Sequence, residues 1–505
     1  MLTIDEHEPH DVQVLSYGEV GARADVLARA LADAGMAPGE TIGCYLPNAP
    51  AWVVASLAVW RNGGVVAAAG TLLPGAEAAR LFELADVRRV VTVTDAPDLG
   101  TDHDVIRVDE AGSLVDAPDA GDGAAAFAGW EDGAGALPAA DDRAVAIFTS
   151  GTTGRPKGIT HTHGDLVAAA RRVAAAYARD SGYRPDPAPA HLAPGVVFNP
   201  FGHMAGYSRL AFRMWIGRPT VIVPRFTVGA TRALLARFEM DSLQLTPAMI
   251  HMLATTEEPL DLGAVKYATS GTAPLATATR ERFEARFGVP VMQAYGMTEL
   301  GAVAQERYED VVAGRRGPGS VGRIAAGVEV RIRHLDDDRP PGDGEILVRT
   351  DEASRDFIGG EPVPVDAEGW FATGDVGRID DDILFITGRL QEKMIVGGFN
   401  VYPAEVEDAA RRSGRVRDAV VVALRDDRLG EVPVAGIVWA GEPDEAALLE
   451  ELRADLAHYK VPRGLFPLDV VPLTPREKVD RARATELAEA ALGTGASPDG
   501  RSGDG

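Results

Sequence analysis

The stretch Phe148–Gly158, FTSGTTGRPKG, determines how the rest of this sequence is interpreted. It directly follows the apolar run AVAI, which is typical of a buried strand. Its serine, threonines and glycines leave backbone amides free to surround phosphate oxygens, and Lys157 adds a positive charge. The spacing does not fit the common G-x-x-x-x-G-K-S/T loop. The stretch therefore indicates a phosphate-binding turn of another kind, with a flexible polar turn as the alternative from composition alone.

The length and apolar content of the chain are those of a globular protein with more than one domain. Its 505 residues are too many for one ordinary core and predict two or three domains. No apolar run reaches the roughly 18–20 residues of a membrane span, and the acidic amino terminus does not resemble a secretory signal. The single cysteine, Cys44, excludes an intrachain disulfide and is predicted to be a buried thiol. We therefore expect a cytoplasmic protein.

The acidic balance of the chain excludes one class of partner. A net charge of -25, from 50 basic and 75 acidic residues, opposes general affinity for nucleic acid. It leaves room for a nucleotide site, because a few oriented amides and one lysine can hold a triphosphate locally. An acidic surface is compatible with either a monomer or a homodimer.

The order of apolar segments predicts an α/β fold. Strands alternate with helices from Ser16 to about Asp95 and again from Arg143, which predicts parallel sheets covered on both faces. Residues 96–140, rich in glycine, alanine, aspartate and proline, are predicted to be surface loops. The later stretches VEVRIRHLD and GEILVRT predict a small β-rich subdomain.

The chain is expected to divide near Arg389, where a second and smaller unit begins. Its strands and helix predict a small α+β domain of ordinary size. The last residues are rich in glycine, serine and aspartate and predict disorder. The predicted division is a large N-terminal domain of α/β subdomains with parallel sheets over 1–388, a C-terminal domain over 389–490 and a disordered tail over 491–505.

The stretch Phe148–Gly158 closely resembles the phosphate-binding signature of the adenylate-forming superfamily. That group includes acyl- and aryl-CoA ligases, peptide-synthetase adenylation domains and firefly luciferase. Further stretches resemble the later signatures in family order, over nearly the whole chain: SGTAPL (270–275), YGMTE (295–299), GWFATGD (369–375), GRLQEKMIVGGFNVYPAEVE (388–407) and PLTPREKVDR (472–481).

The resemblance implies that the protein activates a small carboxylic acid with ATP and Mg²⁺, releasing pyrophosphate from an acyl-AMP, and then transfers the acyl group to coenzyme A. Both reactants of the first step are anions, so positioning and charge neutralisation must supply most of the help. The implied ATP-site residues are Ser150, Thr152, Thr153 and Lys157 for the outer phosphates; Gly271, Thr272, Ala273, Tyr295 and Gly296 for the adenine side; Thr298 for the α-phosphate; Glu299 for the metal; and Asp375 and Arg389 for the ribose.

The resemblance further implies catalytic roles for Thr298 and Glu299, and for two residues outside this set. Lys478 is expected to bridge the substrate carboxylate and the α-phosphate, and His203, in FNPFGHMAG, to gate the acyl pocket. The surroundings of Lys478 depart from the family pattern, with Leu473 in place of an arginine and Glu477 in place of a glycine.

The second step implies a mobile C-terminal domain. In the family this domain rotates, which brings the GGFNVYP strand to the site in place of the lysine segment. Gly397, Gly398 and Asn400 suit a narrow pantetheine tunnel, because glycine lets a thin ligand pass close to the backbone. The usual hinge position holds an aspartate or lysine, whereas this chain has Gln391.

The sequence predicts a class of acid substrate but leaves several acceptors of the acyl group open. Asn199 stands where relatives that activate amino acids place an aspartate, so α-amino acids are disfavoured. Residues 204–207 and 268–273 predict a mostly apolar pocket for an aryl, arylacrylic or medium-chain acid. The open alternatives are loading of a carrier protein, amide formation, and nitrite activation for diazotisation of an arylamine. A regulator without enzymatic activity is disfavoured by the joint presence of Lys157, Glu299, Asp375, Arg389 and Lys478.

Overall fold

The computed structural model describes residues 2–4, 12–100, 103–115, 138–150, 156–182, 193–334, 342–351, 353–396, 399–426, 428–474 and 479–493. Its strands form four sheets, three in a large N-terminal domain and one in a small C-terminal domain. This arrangement confirms the predicted α/β class and the two-domain architecture. The boundary at residue 388 stays a prediction.

A six-stranded sheet carries the phosphate-loop stretch at one edge. Its order is β6-β5-β3-β4-β7-β8, parallel except for the final β7–β8 hairpin. The elements are α1 (Tyr17–Asp33), β3 (Thr41–Leu46), α2 (Ala51–Arg61), β4 (Val65–Gly70), α3 (Gly75–Leu84), β5 (Arg89–Val93), β6 (Asp104–Val108), β7 (Arg143–Ser150), β8 (Pro156–Thr162) and α4 (His163–Ser181).

Both faces of this sheet are buried, as the sequence predicts for parallel strands. Because side chains alternate along β3, Cys44 joins the core beneath α1 and α2, whereas Tyr45 joins the core beneath α3. Cys44 is fully buried, which confirms the structural thiol. The Ser16 hydroxyl accepts from the Glu19 backbone and the Glu19 carboxylate accepts from the Ser16 backbone, so a capping box begins α1.

A small four-stranded sheet of order β2-β1-β10-β9 supports α5, the helix that follows His203. Its elements are β1 (Leu2–Ile4), β2 (Val12–Val14), β9 (Gly195–Val197), α5 (Met204–Trp215) and β10 (Thr220–Ile222).

A nine-stranded sheet carries most of the predicted nucleotide site. Strands β11, β12 and β13 are parallel, and the sheet continues through β14 as an antiparallel half. The predicted β-rich subdomain is therefore continuous with a parallel sheet. The elements are α6 (Val228–Arg237), β11 (Ser242–Leu245), α7 (Pro247–Thr255), β12 (Tyr267–Ser270), α8 (Thr277–Phe287), β13 (Val291–Met297), β14 (Gly301–Gln305), α9 (Tyr308–Val312), β15 (Ser320–Ile324), β16 (Val328–Arg333), β17 (Gly344–Thr350), β18 (Phe371–Asp380) and β19 (Ile383–Arg389).

The C-terminal domain begins after a short 3-10 helix at Leu390–Glu392. Its five strands pack against two helices on one face and one helix on the other, with an apolar core on each face. The last strand, β24, is parallel to β23, and the other pairs are antiparallel. The elements are β20 (Met394–Val396), β21 (Phe399–Val401), α10 (Pro403–Arg412), β22 (Val416–Asp426), β23 (Gly430–Trp439), α11 (Glu445–Asp455), β24 (Gly464–Pro467) and α12 (Arg481–Leu492).

Two sequence predictions differ from the structure. The segment 96–140 contains the strand β6, which pairs with β5 at the edge of the sheet. Its side chains are mostly exposed, so it lacks the apolar run by which the other strands are found. Helix α12 extends to Leu492 and so includes the first two residues of the predicted tail, and residues 494–505 lie outside the described residues.

None of the helices in the described part of the chain is long and apolar enough to cross a membrane.

Replacing the buried Arg218 should destabilise the N-terminal domain. The residue is 1% exposed, and its guanidinium donates to Asp241 Oδ1 at 2.7 Å and lies 4.6 Å from the centre of the Tyr177 ring. Arg218→Met leaves the Asp241 carboxylate without its cation, which costs about 3–5 kcal/mol. Thermal unfolding should show a clearly lower Tm than the wild-type protein.

The matched control is Arg232→Met. Arg232 pairs with Glu258 at 2.9 Å, but both side chains are half exposed, so the loss should stay under about 1 kcal/mol. Equal melting temperatures for the two variants would contradict the role given to Arg218.

Candidate active site

The phosphate-loop stretch begins on β7 and ends on β8. Ser150 is paired with Pro156 and Thr149 with Lys157, and residues 151–155 lie outside the described part of the structure. The Lys157 ammonium lies 4.7 Å from the centre of the Phe357 ring. Thr152, Thr153 and the Ser150 side chain lie outside the described part of the structure. Binding of the outer phosphates by these residues therefore stays a prediction. Lys157 is the one residue of this set whose side chain the structure describes.

The predicted adenine-side loop leaves the carboxyl end of β12. Thr272 has a φ of 74°, a left-handed conformation that costs a β-branched residue about 1–3 kcal/mol. A Cβ on Gly271 would lie 3.4 Å from the Ala294 carbonyl oxygen of β13. Strain of this kind concentrates at ligand sites, and the close approach places residues 271–273 beside Tyr295.

The ribose cluster, defined as Tyr295, Asp375 and Arg389, is joined by two side-chain hydrogen bonds. The Tyr295 hydroxyl donates to Asp375 Oδ2 at 2.6 Å, and Arg389 Nε donates to Asp375 Oδ1 at 2.6 Å. Asp375 lies directly opposite Arg389 in the β18–β19 register and is 4% exposed. The structure thus brings together three residues that the sequence places in separate signatures.

The charges within this cluster stabilise one another. Burial and the neighbouring Asp375 carboxylate raise the pKa of Tyr295 well above its ordinary value, so its hydroxyl keeps its proton. Burial opposes the charge of Arg389, but Asp375 outweighs it and raises the pKa of the guanidinium. Each carboxylate oxygen of Asp375 retains a free lone pair, as two ribose hydroxyls require.

The turn between β13 and β14 carries the predicted α-phosphate and metal residues. A bulge lies between Tyr295 and Gly296, and a Cβ on Gly296 would stand 2.3 Å from the Gly301 carbonyl oxygen, so glycine is required. Thr298 and Glu299 follow on the same turn, and the Glu299 carbonyl accepts from the Ser354 backbone at 2.8 Å. Both side chains are half-buried.

The fit of a magnesium ion depends on the nucleotide. Within the described ranges, no group of three histidine, cysteine, aspartate or glutamate side chains could hold a metal. Mg²⁺ in nucleotide sites commonly takes one or two carboxylates and completes its shell with phosphate oxygens and water. Glu299 could supply one such carboxylate to a magnesium ion that is also bound by the nucleotide phosphates. The described residues do not form a site that would hold the ion without the nucleotide.

His203 begins α5, with its carbonyl accepting from the Tyr207 backbone at 3.0 Å. Its role as a gate stays a prediction. Tyr207, which the sequence assigns to the acid pocket, is 2% exposed; its hydroxyl lies 2.6 Å from that of Ser56, and its ring packs against Trp52 and Trp60. Its place in the acid pocket also stays a prediction.

Lys478 and Glu477 lie outside the described residues, but the segment that carries them is held at both ends. Leu473 bridges Val479, and the Asp480 backbone donates to the Pro472 carbonyl at 2.8 Å. Arg481 Nη1 donates to Glu407 Oε1 at 2.5 Å, and Arg481 Nη2 lies 3.3 Å from Glu392 Oε2.

The contacts of Arg481 with Glu392 and Glu407 were not predicted. The only sign of them in the sequence is that these side chains carry opposite charges, and the sequence does not show that they lie close together. These contacts tie the lysine segment to the 3-10 helix that follows Arg389. Gly397 and Gly398 lie outside the described residues, as do the side chains of Gln391 and Asn400. Their roles stay predictions.

Comparison with known proteins gives the same family over nearly the whole chain. The AMP-binding enzyme family matches residues 4–356, and the AMP-binding enzyme C-terminal domain matches residues 405–478.

Two curated relatives match most of their own length. A 3-(7a-methyl-1,5-dioxo-octahydro-1H-inden-4-yl)propanoyl:CoA ligase of Mycobacterium tuberculosis is 31% identical over 494 residues, covering 91% of each chain. A sulfoacetate–CoA ligase of Cupriavidus necator is 31% identical over 490 residues, covering 94% of this chain and 93% of the relative.

Solved structures give the same fold. ATP-bound MatB from Rhodopseudomonas palustris superposes with a TM-score of 0.79 at 24% identity, covering 95% of this chain and 94% of that one. The amide bond synthetase McbA from Marinactinospora thermotolerans superposes with a TM-score of 0.77 at 26% identity, covering 93% and 94%.

His161, beneath the β13–β14 turn, should make stability depend on pH. It is 1% exposed, and burial lowers its pKa against the opposing effects of Asp165 and a hydrogen bond with the Thr298 backbone. The unfolded chain takes up this proton near pH ~6.5, whereas the folded protein resists it. The corresponding stability is therefore present above about pH 6.5 and lost as the pH falls below it.

His161→Gln should flatten the fall in Tm between about pH 7 and about pH 5, because one proton is worth about 1.4 kcal/mol per pH unit. The exposed His458, replaced in the same way, is the control and should leave the profile unchanged. Parallel profiles for wild type and His161→Gln would contradict the assignment.

Proposed function

This chain belongs to the AMP-binding enzymes, among their acyl-CoA ligase-like members, and we propose that it joins a small carboxylic acid to coenzyme A in two steps driven by ATP. In the first step the acid attacks the α-phosphate of ATP, giving an acyl-AMP and pyrophosphate. In the second step the thiol of coenzyme A displaces AMP. The protein is an enzyme of the acid–thiol ligase type.

The observation that carries this proposal is the ribose cluster. A buried aspartate that is fixed by one tyrosine and one arginine, yet retains acceptor capacity, suits the two hydroxyls of a nucleotide ribose. The strained loop at Thr272 lies at the same sheet edge, since β12 and β13 are parallel neighbours. Tyr295 offers its ring face to adenine while its hydroxyl holds Asp375.

Charge neutralisation carries the first step. In this proposal Ser150, Thr152, Thr153 and Lys157 hold the departing phosphates, and Thr298 donates to the α-phosphate. Lys478 bridges the acid carboxylate and the α-phosphate as negative charge builds there. A magnesium ion on Glu299 supplies further neutralisation of the phosphates.

The second step requires the C-terminal domain to move. The proposed hinge starts at Arg389, next to the ribose cluster, and includes Gln391. Rotation withdraws Lys478 and presents the strand of Gly397, Gly398 and Asn400, beside which the pantetheine arm enters. Arg481 of the C-terminal domain pairs with Glu392, which lies beside the proposed hinge. When the domain rotates, this ion pair either persists or is replaced by other contacts of the two side chains.

The proposed substrate is a small acid with a mostly apolar body, such as an aryl, arylacrylic or medium-chain acid. Ala205 brings no polar group to the start of α5, and Asn199 offers no carboxylate for an ammonium group. ATP, Mg²⁺ and coenzyme A are the proposed cofactors, and loading of a carrier protein in place of coenzyme A is the nearest variant.

Amide formation is a second candidate. The chain resembles an amide bond synthetase at 26% identity, and Gln391 and Glu477 depart from the positions that a thioester-forming relative usually keeps. In that case the adenylate forms in the same way and an amine, not a thiol, displaces AMP. Acid-dependent pyrophosphate release, followed by AMP release that requires an amine and not coenzyme A, would select this candidate.

The proposal is tested first at Lys478. Lys478→Ala should lower acid-dependent pyrophosphate release by about 10²–10³-fold, because one charge-stabilising group of the transition state is lost. The same variant should still convert a synthetic acyl-AMP to the thioester when coenzyme A is added. The exposed Lys266, replaced by alanine, is the control and should leave both steps unchanged. Unchanged pyrophosphate release in Lys478→Ala would remove the catalytic assignment.

The ribose cluster is tested at Asp375. Asp375→Asn keeps the size of the side chain but removes its charge, and hydrogen bonds to charged groups contribute about 1.5–3 kcal/mol. The KM for ATP should rise about 10- to 100-fold, with a smaller change in the KM for the acid. Asp380→Asn, at the exposed end of the same strand, is the control. Equal KM values for ATP in both variants would exclude the ribose contact.

A further inference from the structure

A short segment that follows β17 lies against β8, the strand in which the phosphate-loop stretch ends. We call this segment, residues 354–358, the strap. The Ile358 backbone donates to the Gly158 carbonyl at 2.6 Å, and Phe357 forms an antiparallel bridge with Ile159. A Cβ on Gly158 would stand 2.6 Å from the Ile358 side chain, so the two backbones approach closely. The strap therefore covers the outer edge of the six-stranded sheet beside the proposed phosphate site.

Polar contacts fix the strap on β8. The Thr160 hydroxyl donates to the Asp356 carbonyl at 2.8 Å, and the Asp356 carboxylate pairs with Arg143 of β7. The Ser354 hydroxyl donates to the Thr160 carbonyl at 2.5 Å, and the Ser354 backbone donates to the Glu299 carbonyl at 2.8 Å. Thr160 and Ser354 are buried, which strengthens these hydrogen bonds. The strap is thus joined both to the β7–β8 hairpin and to the turn that carries the proposed metal residue.

This arrangement places the Phe357 ring against the Lys157 ammonium. Phe357 is 7% exposed and belongs to the apolar core that contains Ile159 and Leu300. The Lys157 nitrogen lies 4.7 Å from the centre of the ring. An aromatic ring attracts an ammonium at this distance, and the attraction is stronger where water is excluded. Within the described part of the chain, no carboxylate pairs with Lys157, so the ring is the contact that orients its charge.

An aromatic ring orients the Lys157 ammonium and leaves its positive charge available. A carboxylate at the same place would also hold the ammonium, but its negative charge would repel the phosphates that Lys157 is proposed to bind. A free lysine side chain loses conformational freedom when it binds a ligand, and a side chain that is already held loses less. Contact with Phe357 therefore prepares Lys157 for an anionic ligand.

We propose that Phe357 is a positioning residue for ATP: its ring holds the Lys157 ammonium in place for the outer phosphates, and the strap fixes the ring. This inference rests on the proposed ATP-dependent function, in which Lys157 binds these phosphates, and adds a residue to the same site. Because Phe357 acts through Lys157, its loss should weaken the binding of ATP and leave turnover of the bound complex nearly unchanged.

The test is a double-mutant cycle in the pyrophosphate-release assay at saturating acid. Phe357→Leu should raise the KM for ATP about 3- to 30-fold, as loss of one partly buried cation–π contact implies, with kcat changed less than about twofold. Phe357→Met, which fills the core with a flexible apolar chain, should give the same rise. Lys157→Met should raise this KM at least as much. Adding Phe357→Leu to Lys157→Met should cause no further rise, because the contact is already lost.

The matched control is Phe385→Leu. Phe385 is also buried and its ring centre also lies 4.7 Å from a cation, the guanidinium of Arg378, which has no proposed part in ATP binding. Phe385→Leu should lower the Tm by an amount similar to that of Phe357→Leu and leave the KM for ATP unchanged. A similar rise of this KM in Phe385→Leu would show a general effect of core loss and would overturn the inference.

The other outcomes separate this inference from the proposed function. If Lys157→Met raises the KM for ATP but Phe357→Leu does not, the inference is overturned and the proposed function stands. The same holds if Phe357→Leu causes an equal further rise in the Lys157→Met background, since Phe357 would then act independently of Lys157. An unchanged KM in Lys157→Met would remove the phosphate role of Lys157 and the inference with it. Absence of acid-dependent pyrophosphate release from the wild type would overturn the proposed function itself.

Discussion

The Asp375 carboxylate is the group on which the rest of the site depends. It accepts from Tyr295, on the last parallel strand of the nine-stranded sheet, and from Arg389, where the chain leaves for the C-terminal domain. Because it is buried, loss of Arg389 would leave its charge uncompensated, and loss of Tyr295 would remove one of its two hydrogen bonds. One carboxylate therefore fixes both the proposed nucleotide seat and the start of the proposed hinge.

The charges close to the proposed site, and not the net charge of the protein, determine whether it can bind anionic substrates. The chain is strongly acidic, yet two of the groups proposed to face the nucleotide are cationic: Lys157 at the β7–β8 hairpin and Arg389 at the ribose cluster. Each acts over a few ångströms in partly buried surroundings, where screening by solvent is weak. An acidic exterior is compatible with an interior that binds anions.

Much of the fold could be predicted from the sequence, because strands buried on both faces appear as apolar runs between helices. The edge strand β6 could not, since its side chains are exposed. Of the site, Tyr295, Asp375 and Arg389 stand in separate signatures and were predicted together. Their mutual hydrogen bonds depend on a strand register that no local pattern specifies.

Two further features required tertiary packing. The left-handed backbone of Thr272 is invisible in a sequence, because threonine ordinarily avoids it. The surroundings of the α5 side chains are the other such feature, because the contact of the Tyr207 ring with Trp52 joins residues that are far apart in the sequence.

The central claim is that the acid becomes an acyl-AMP, and the path of one oxygen atom tests it directly. The acid is prepared with ¹⁸O in its carboxylate, the enzyme is supplied with ATP and coenzyme A, and the nucleotide products are examined by mass spectrometry. Attack of the carboxylate on the α-phosphate predicts AMP that carries one ¹⁸O atom, together with unlabelled pyrophosphate. Formation of ADP with labelled inorganic phosphate, or of AMP without the label, would contradict the account.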